Sequence, residues 1–306
     1  MLALSAVFLF CGCQQKQAPA ESTSAAVTED TTVPSTEEVR KRKENLETIL
    51  VLGLDKNEYP DDSRAYINDM QSDFNLVLVL DKDTNVCTPL LLNRDTMTEI
   101  IRLGVFGDEA GTFTGQLALA HTYGSGGSDS CINAKKVVSK FLGVPIDHYM
   151  SFTMEAVPTV NDAVGGVTVT VLDEFRDSET LVKGETVKLM GQESLNYVRG
   201  RHGAGDQTNI SRMKRQEQYM SALIERLIAA AKEDPDLLTK LTLSLGDAFQ
   251  SDYTVNQLQK LADRLMEAKI EDFVTIEGEA KVGTEFMEFY PDQAALEKTI
   301  DEVFYQ

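Results

Sequence analysis

Cationic side chains are scarce in this chain, with 29 Lys+Arg against 49 Asp+Glu and a formal net charge of -20. That balance excludes a nucleic-acid binder, because phosphate backbones are held by a broad positive footprint. It also argues against general adhesion to an anionic membrane face. Histidine is scarcer still: His121, His148 and His202 are the whole supply, and none has metal-ligand spacing to another. Each reads as a surface or supporting residue rather than a catalyst. No G-x-S-x-G marks a hydrolase elbow, and no glycine-rich loop ends in Lys and Ser/Thr as a P-loop does. GSGGSDS (124–130) resembles a phosphate cradle only loosely, and its composition reads as a flexible connector. The apolar run from Leu2 to Cys11 falls short of the about 20 residues that span a bilayer.

That short run suits the apolar part of an export signal over residues 1–13, although no positive charge precedes it. Cys13 follows Gly12 and precedes the polar QQKQ, as the lipid-modified cysteine of a bacterial lipoprotein would. A cleaved signal or a clipped membrane anchor fits the same residues. All three readings place the protein outside the cytoplasmic membrane, and two of them attach it to the outer face by an N-terminal anchor. Residues 14–45 hold no Phe, Tyr or Trp and include Pro19 and Pro34, so they cannot bury enough apolar surface to offset their ordering entropy. They are expected to form a disordered tether, ended by a basic cluster, Arg40 to Lys43, that reads as a solvated helix start. The remaining residues, 46–306, suffice for one domain with a sizeable core. Within them, Cys87 and Cys131 are either a disulfide or two separately buried thiols, and neither has the His/Asp setting of a nucleophile.

Hydrophobic periodicity places the elements. TILVLGL (48–54) reads as a buried strand ending at Asp55, and NLVLVL (75–80) and VCTPLLLN (86–93) flank the turn-rich DKDTN as a hairpin. Residues 132–142 form an expected helix closed by Gly143 and Pro145, and GGVTVTVL (165–172) opens another strand. From Ile210 to Lys232 apolar residues recur at helical spacing, and 238–249, 255–266 and 294–304 read as three further helices. Strands mixed with helices predict an α/β fold: a single layered α-β-α domain with a central mixed sheet flanked by helices. The hairpin makes Asp73, which opens its first strand, a neighbour of Arg94 and Asp95, which close its second.

Against the acidic background, YVRGRHGAGDQTNISRMKRQEQ (197–218) crowds Arg199, Arg201, Arg212, Lys214 and Arg215 into one stretch opposed only by Asp206 and Glu217. Arg212, Arg215, Gln216 and Tyr219 share one helix face. Guanidinium forks suit phosphate oxygens, and nearby carboxylates tolerate a phosphate when a hard cation such as Mg²⁺ bridges them. The combination suits a metal-bound pyrophosphate or phosphodiester. An Arg–Asp network internal to the fold accounts for the same charges, and composition and spacing alone favour it.

The ordered motifs tip that balance. LVLGLD (50–55), QSDFNLVLVLDKDTN (71–85), LLNRDT (91–96), FLGVPIDHYMSF (141–152), VNDAVGGVTVTV (160–171), LMGQESLNYVRGR (189–201) and SRMKRQ (211–216) together resemble the LytR-CpsA-Psr family of cell-envelope proteins over about residues 48–230. The resemblance implies an extracytoplasmic phosphotransferase that moves an anionic glycopolymer from a polyprenyl-pyrophosphate carrier to peptidoglycan through a phosphodiester. It implies Mg²⁺ on Asp55 and Asp73, a pyrophosphate clamp of Arg94, Arg199, Arg201 and Arg212, and Gln216 close by. Asp95 would orient an arginine or assist deprotonation of the acceptor hydroxyl, which makes Asp73, Arg94, Asp95 and Arg201 the expected catalytic set. Three positions depart from the family pattern: Asn93 for a proline, Gln116 for a lysine, and Asn209 for an acidic residue, with Asp206 as a displaced substitute. Two other readings remain open at this point. One is a polyprenyl-pyrophosphate binder or pyrophosphatase without ligase activity, and the other is a regulatory attenuator of envelope genes.

Overall fold

A computed structural model of the chain describes residues 41–60 and 66–306. The expected export signal, Cys13 and the expected tether up to residue 40 lie outside the described residues.

The apolar runs build a sheet. β1 (Leu46–Leu54) pairs antiparallel with β2 (Ser72–Asp81), which pairs antiparallel with β3 (Val86–Leu92) across the DKDTN turn. A second hairpin follows, β4 (Met97–Leu103) with β5 (Glu109–Gln116), and a short 3-10 turn leads to α1 (Ser128–Leu142). Next come β6 (His148–Phe152) and α2 (Ala156–Ala163). A small separate sheet contains β7 (Val167–Thr170) and β8 (Thr186–Leu189). The helices α3 (Gln192–Arg199), α4 (Asn209–Glu233) and α5 (Leu237–Leu245) follow. The chain closes with β9 (Phe249–Ser251), α6 (Val255–Glu267), β10 (Lys269–Ile270), β11 (Val274–Thr275), the hairpin β12 (Gly278–Val282) and β13 (Met287–Pro291), and α7 (Gln293–Phe304).

The central sheet runs β10-β3-β2-β1-β6-β9, with β11 also on β3. It is mixed, since β6 lies parallel to β1 while β2 lies antiparallel to it. Alternation along the strands feeds two cores. Leu50, Leu52, Val77, Val79 and Leu90 face one core with α1 and α7. Ile49, Leu80 and Cys87 face the other, with Leu261 of α6. A third cluster joins β7 and β8 to α3 and α4 through Val167, Leu189, Tyr197 and Tyr219. The layered α-β-α arrangement with a central mixed sheet is the one the sequence predicted. Among the described residues no helix is long and apolar enough to cross a membrane.

Several local expectations change. The helix expected over 238–249 stops at Leu245, and Phe249 already belongs to β9, pairing with Phe152. Lys41 to Lys43 are not a helix start. Arg42 bridges Tyr305, and Lys43 donates from its backbone to Phe304 O and from Nζ to Val303 O at 2.9 Å. The basic cluster thus docks on the end of α7, where carbonyls lack helical partners. GSGGSDS is a stitched loop rather than a flexible connector. Ser125 N–H and Oγ donate to the Asp129 carboxylate at 2.9 and 2.7 Å, and Gly126 N–H donates to Ser130 Oγ at 2.9 Å. Gly126 adopts φ 86°, and a Cβ there would lie 2.7 Å from Pro60, so only glycine fits. Cys87 and Cys131 are both buried free thiols. His121 is fully buried, its Nδ1 donating to Met70 O at 3.1 Å.

Candidate active site

The hairpin register brings the first charges together. Asn75 pairs with Leu92, so Asp73 and Arg94 each lie two residues beyond that pair at one sheet edge. Arg94 donates through Nη1 to Asp73 Oδ1 and through Nη2 to Gln71 Oε1. From the other side, α4 presents Arg212, whose Nη1 donates to Asp73 Oδ2 at 2.6 Å. Each oxygen of Asp73 therefore receives one guanidinium. Arg94 and Arg212 are only 11% and 3% exposed, and cations this buried persist only when paired and hydrogen-bonded.

Neutral amides complete the frame. Arg212 Nε and Nη2 donate to Asn209 Oδ1 at 3.0 and 2.6 Å. Asn209 Nδ2 donates to Asn93 Oδ1 at 2.7 Å, and the same oxygen receives Asp95 N–H at 2.9 Å. Two of the departures from the family pattern are therefore one hydrogen-bonded pair. The third, Gln116, donates from Nε2 to Asp95 Oδ1 at 2.8 Å and to Met287 O at 2.7 Å. Asp206 does not stand in for an acid beside Arg212. Its Oδ1 receives Thr208 N–H, Thr208 Oγ1 and Ser211 Oγ at the start of α4, and those bonds hold its pKa below the usual carboxylate range.

Burial sets the electrostatics. Asp95 is 4% exposed, and desolvation raises its pKa against the opposing charges of Arg94, Arg201 and Arg212. Desolvation likewise lowers the pKa of Arg212, with Asp73 resisting the change. Asp55, one residue past β1, accepts Gln71 N–H at 2.8 Å. Its pKa is raised chiefly by burial and further by the charge of Asp73, against that hydrogen bond.

Above this frame opens a cavity of about 590 Å³, walled by Asp73, Arg94 and Arg212, by Arg199 at the last position of α3, and by Arg201 just beyond that helix. Arg199 is exposed and Arg201 half-buried. Among the described residues no carboxylate lies within ion-pair distance of either. Of the residues singled out from sequence, these five reach the cavity. Asp55 and Asp95 are not among the residues that line it. Gln216 is placed elsewhere than expected: it is buried, with Nε2 donating to Val198 O at 3.3 Å beneath α3. Arg176, Glu193, Asn196 and His202 also line the cavity. The sequence reads His202 as a surface or supporting residue, and Arg176 escapes it because no periodic pattern ties the Phe175–Leu181 loop to α3.

Fold and site together define a layered α/β domain with an arginine-walled cavity. The chain belongs to the LytR_cpsA_psr family, whose model matches residues 10–304. It is 32% identical over 194 residues to the polyisoprenyl-teichoic acid–peptidoglycan teichoic acid transferase TagU of Bacillus cereus, covering 62% of this chain and 56% of that protein. Against TagU of Bacillus subtilis it is 29% identical over 210 residues, covering 68% and 61%. The chain thus spans little more than half the length of these relatives. The crystal structure of gbs0355 from Streptococcus agalactiae superimposes with a TM-score of 0.69 at 20% identity, over 85% of this chain and 86% of that one, and so shares the fold.

Proposed function

We propose that this chain is an extracytoplasmic phosphotransferase that takes an anionic glycopolymer from a polyprenyl-pyrophosphate carrier and attaches it to peptidoglycan through a phosphodiester. The observation that carries the reading is that Arg199 and Arg201, which have no ion pair among the described residues, face a cavity already bordered by buried Arg94 and Arg212. Four guanidiniums converging on a concave site leave positive potential that a diphosphate neutralises. The relatives' names point to the same class of reaction.

In this reading Arg94, Arg199, Arg201 and Arg212 hold the diphosphate and oppose the charge that grows on it during transfer. Phosphoryl transfer asks mainly for such positioning and neutralisation. The acceptor hydroxyl oxygen bonds to the glycan-side phosphorus, the bond from that phosphorus to the bridging oxygen breaks, and polyprenyl monophosphate leaves. Its freed oxygen keeps the electron pair, while the hydroxyl proton passes to that phosphate or to water. Asp95 touches Arg94, with Oδ1 3.4 Å from Nε, and is tied back by Gln116. It acts through that arginine, which favours orientation over proton abstraction.

The donor set near Asp73 fits Mg²⁺. Burial and the charge of Asp73 both raise the pKa of Asp55, a strain that a divalent cation relieves. Mg²⁺ sites commonly use one or two carboxylates plus phosphate oxygens. Among the described residues no third acidic, His or Cys ligand joins them, so phosphate and water would complete the shell. When bound by Asp55 and Asp73, the ion would supply Lewis-acid neutralisation of phosphate charge.

The test is transfer itself. The full chain, incubated with a labelled lipid-linked anionic glycan and peptidoglycan, should move label into peptidoglycan and release polyprenyl monophosphate. Hydrolysis without label transfer would reject the ligase reading.

A further inference from the structure

Arg215 belongs to the same basic stretch as Arg212 but turns away from the cavity. It is fully buried, and all three of its guanidinium nitrogens are engaged. Nε donates to Tyr197 O at 3.1 Å, Nη2 to Gly200 O, and Nη1 to the Asp173 carboxylate. Its carbon lies 5.3 Å from the centre of the Phe175 ring.

The two carbonyls it holds are the informative part. Tyr197 is in the last turn of α3 and Gly200 is the next residue after the helix. Carbonyls there lack intrahelical partners, and a cation at that end also complements the helix dipole. Gly200 O is the peptide oxygen between Arg199 and Arg201, and Tyr197 O lies two residues before Arg199. Pinning both restricts the backbone from which the two cavity arginines project. Gly200 lets this segment lie close: a Cβ there would fall 2.9 Å from both Asn196 O and Phe175 Cε1. The segment is also zipped to the preceding loop, with Arg176 N–H donating to Gly203 O and Gly205 N–H to Glu174 O, both at 2.9 Å. Arg215 sits between these two layers and bonds to each of them.

We propose that Arg215 is a positioning residue that fixes Arg199 and Arg201 in the cavity wall without touching the ligand. The proposal rests on the reading of that cavity as a pyrophosphate site. A lysine keeps the charge but loses the planar fork that reaches two carbonyls and a carboxylate at once.

The test uses the full chain with Arg215→Lys, and Asp173→Asn as a milder variant should the first fail to fold. Two measurements are made, backbone hydrogen exchange and affinity for inorganic pyrophosphate. Exchange should accelerate locally, at Tyr197 to Gly205, with the central sheet unchanged. Affinity should fall roughly tenfold, the size of one misplaced charge-assisted contact. In a background already carrying Arg199→Ala and Arg201→Ala, the same change should cost no further affinity. Exchange that rises evenly across the domain would overturn the proposal, as would an affinity loss of equal size in the alanine background. If the wild-type chain does not bind pyrophosphate at all, the functional reading fails separately, and local exchange alone decides whether Arg215 holds the loop.

Discussion

Two grooves open at opposite ends of the same hairpin strands. One, of about 590 Å³, lies where β2 begins and β3 ends, and holds Asp73, Arg94 and Arg212. The other, of about 700 Å³, lies where β1 begins and β2 ends, and is lined by Glu47, Lys82, His148, Tyr253, Lys260 and Arg264. The second is larger and also rich in charge, yet its chemistry is that of an ordinary surface. Lys82 meets Glu47 at 3.6 Å with side chains 38% and 20% exposed. Tyr253 donates to Glu47 at 2.6 Å, and His148 lies 3.2 Å from Asp252. In the first groove the guanidiniums of Arg94 and Arg212 are desolvated around one carboxylate, and Arg176, Arg199 and Arg201 also line the opening with no ion pair among the described residues. Volume and charge count do not separate the two grooves. Burial of charge and surplus of one sign do.

The strongest way to break this contrast is to remove its hub. Asp73→Ala leaves two buried guanidiniums without their shared carboxylate, and should lower unfolding free energy by about 3 kcal/mol in urea titrations. Added pyrophosphate should restore part of the loss by supplying the missing anion. An unchanged stability would show that the network does not hold the site together.

Burial outside both grooves sharpens the same point. Burial pulls the His121 pKa down to about 4, against about 6.5 in an unfolded chain. Between those values the unfolded state binds the extra proton, so stability is complete above pH 6.5 and falls as pH drops toward 4. The loss should be on the order of 2–3 kcal/mol across the window. Melting temperature followed from pH 7 to pH 4 should show it, and His121→Gln should flatten the curve.

Removing one cavity arginine that has no ion pair among the described residues should separate binding from stability. Arg201→Ala should weaken pyrophosphate binding by about 1.5–3 kcal/mol in calorimetry, with unfolding free energy moved by less than about 0.5 kcal/mol. A stability loss without an affinity loss would make Arg201 part of the internal network instead. The smallest effect belongs to the far groove. Lys82→Ala should change stability by no more than about 0.5 kcal/mol and leave pyrophosphate affinity where it was. A substantial affinity loss would end the contrast.

Much of this was legible because it is local. The hairpin shows as two apolar runs around DKDTN, and its register alone makes Asp73 and Arg94 neighbours. The long helix shows by its spacing, which puts Arg212, Arg215 and Tyr219 on one face. What escaped depends on contacts that sequence distance conceals. Helical spacing cannot tell that Arg212 meets a strand while Arg215 meets the end of α3. Asn93 and Asn209 look like two losses in the sequence and become one bond only when β3 meets α4. The β4–β5 hairpin escaped because most of β5 is exposed, so it has no apolar alternation to read. For His121 the sequence leaves surface and supporting roles open, because nothing in LALAHT shows that the short 3-10 turn is buried.

The Arg42–Tyr305 bridge, together with the 2.9 Å bond from Gln306 N–H to Lys41 O, makes the described backbone almost a ring. A ring has no privileged starting point. Joining residue 306 to residue 41 through a short linker and reopening the chain in the exposed Val105–Gly107 turn would preserve every pairing of the central sheet. Such a permuted protein would be synthesised with α1 before β1 and β2, so the hairpin carrying Asp73 and Arg94 would emerge after α4. The site's assembly could then be timed against a helix that is already made.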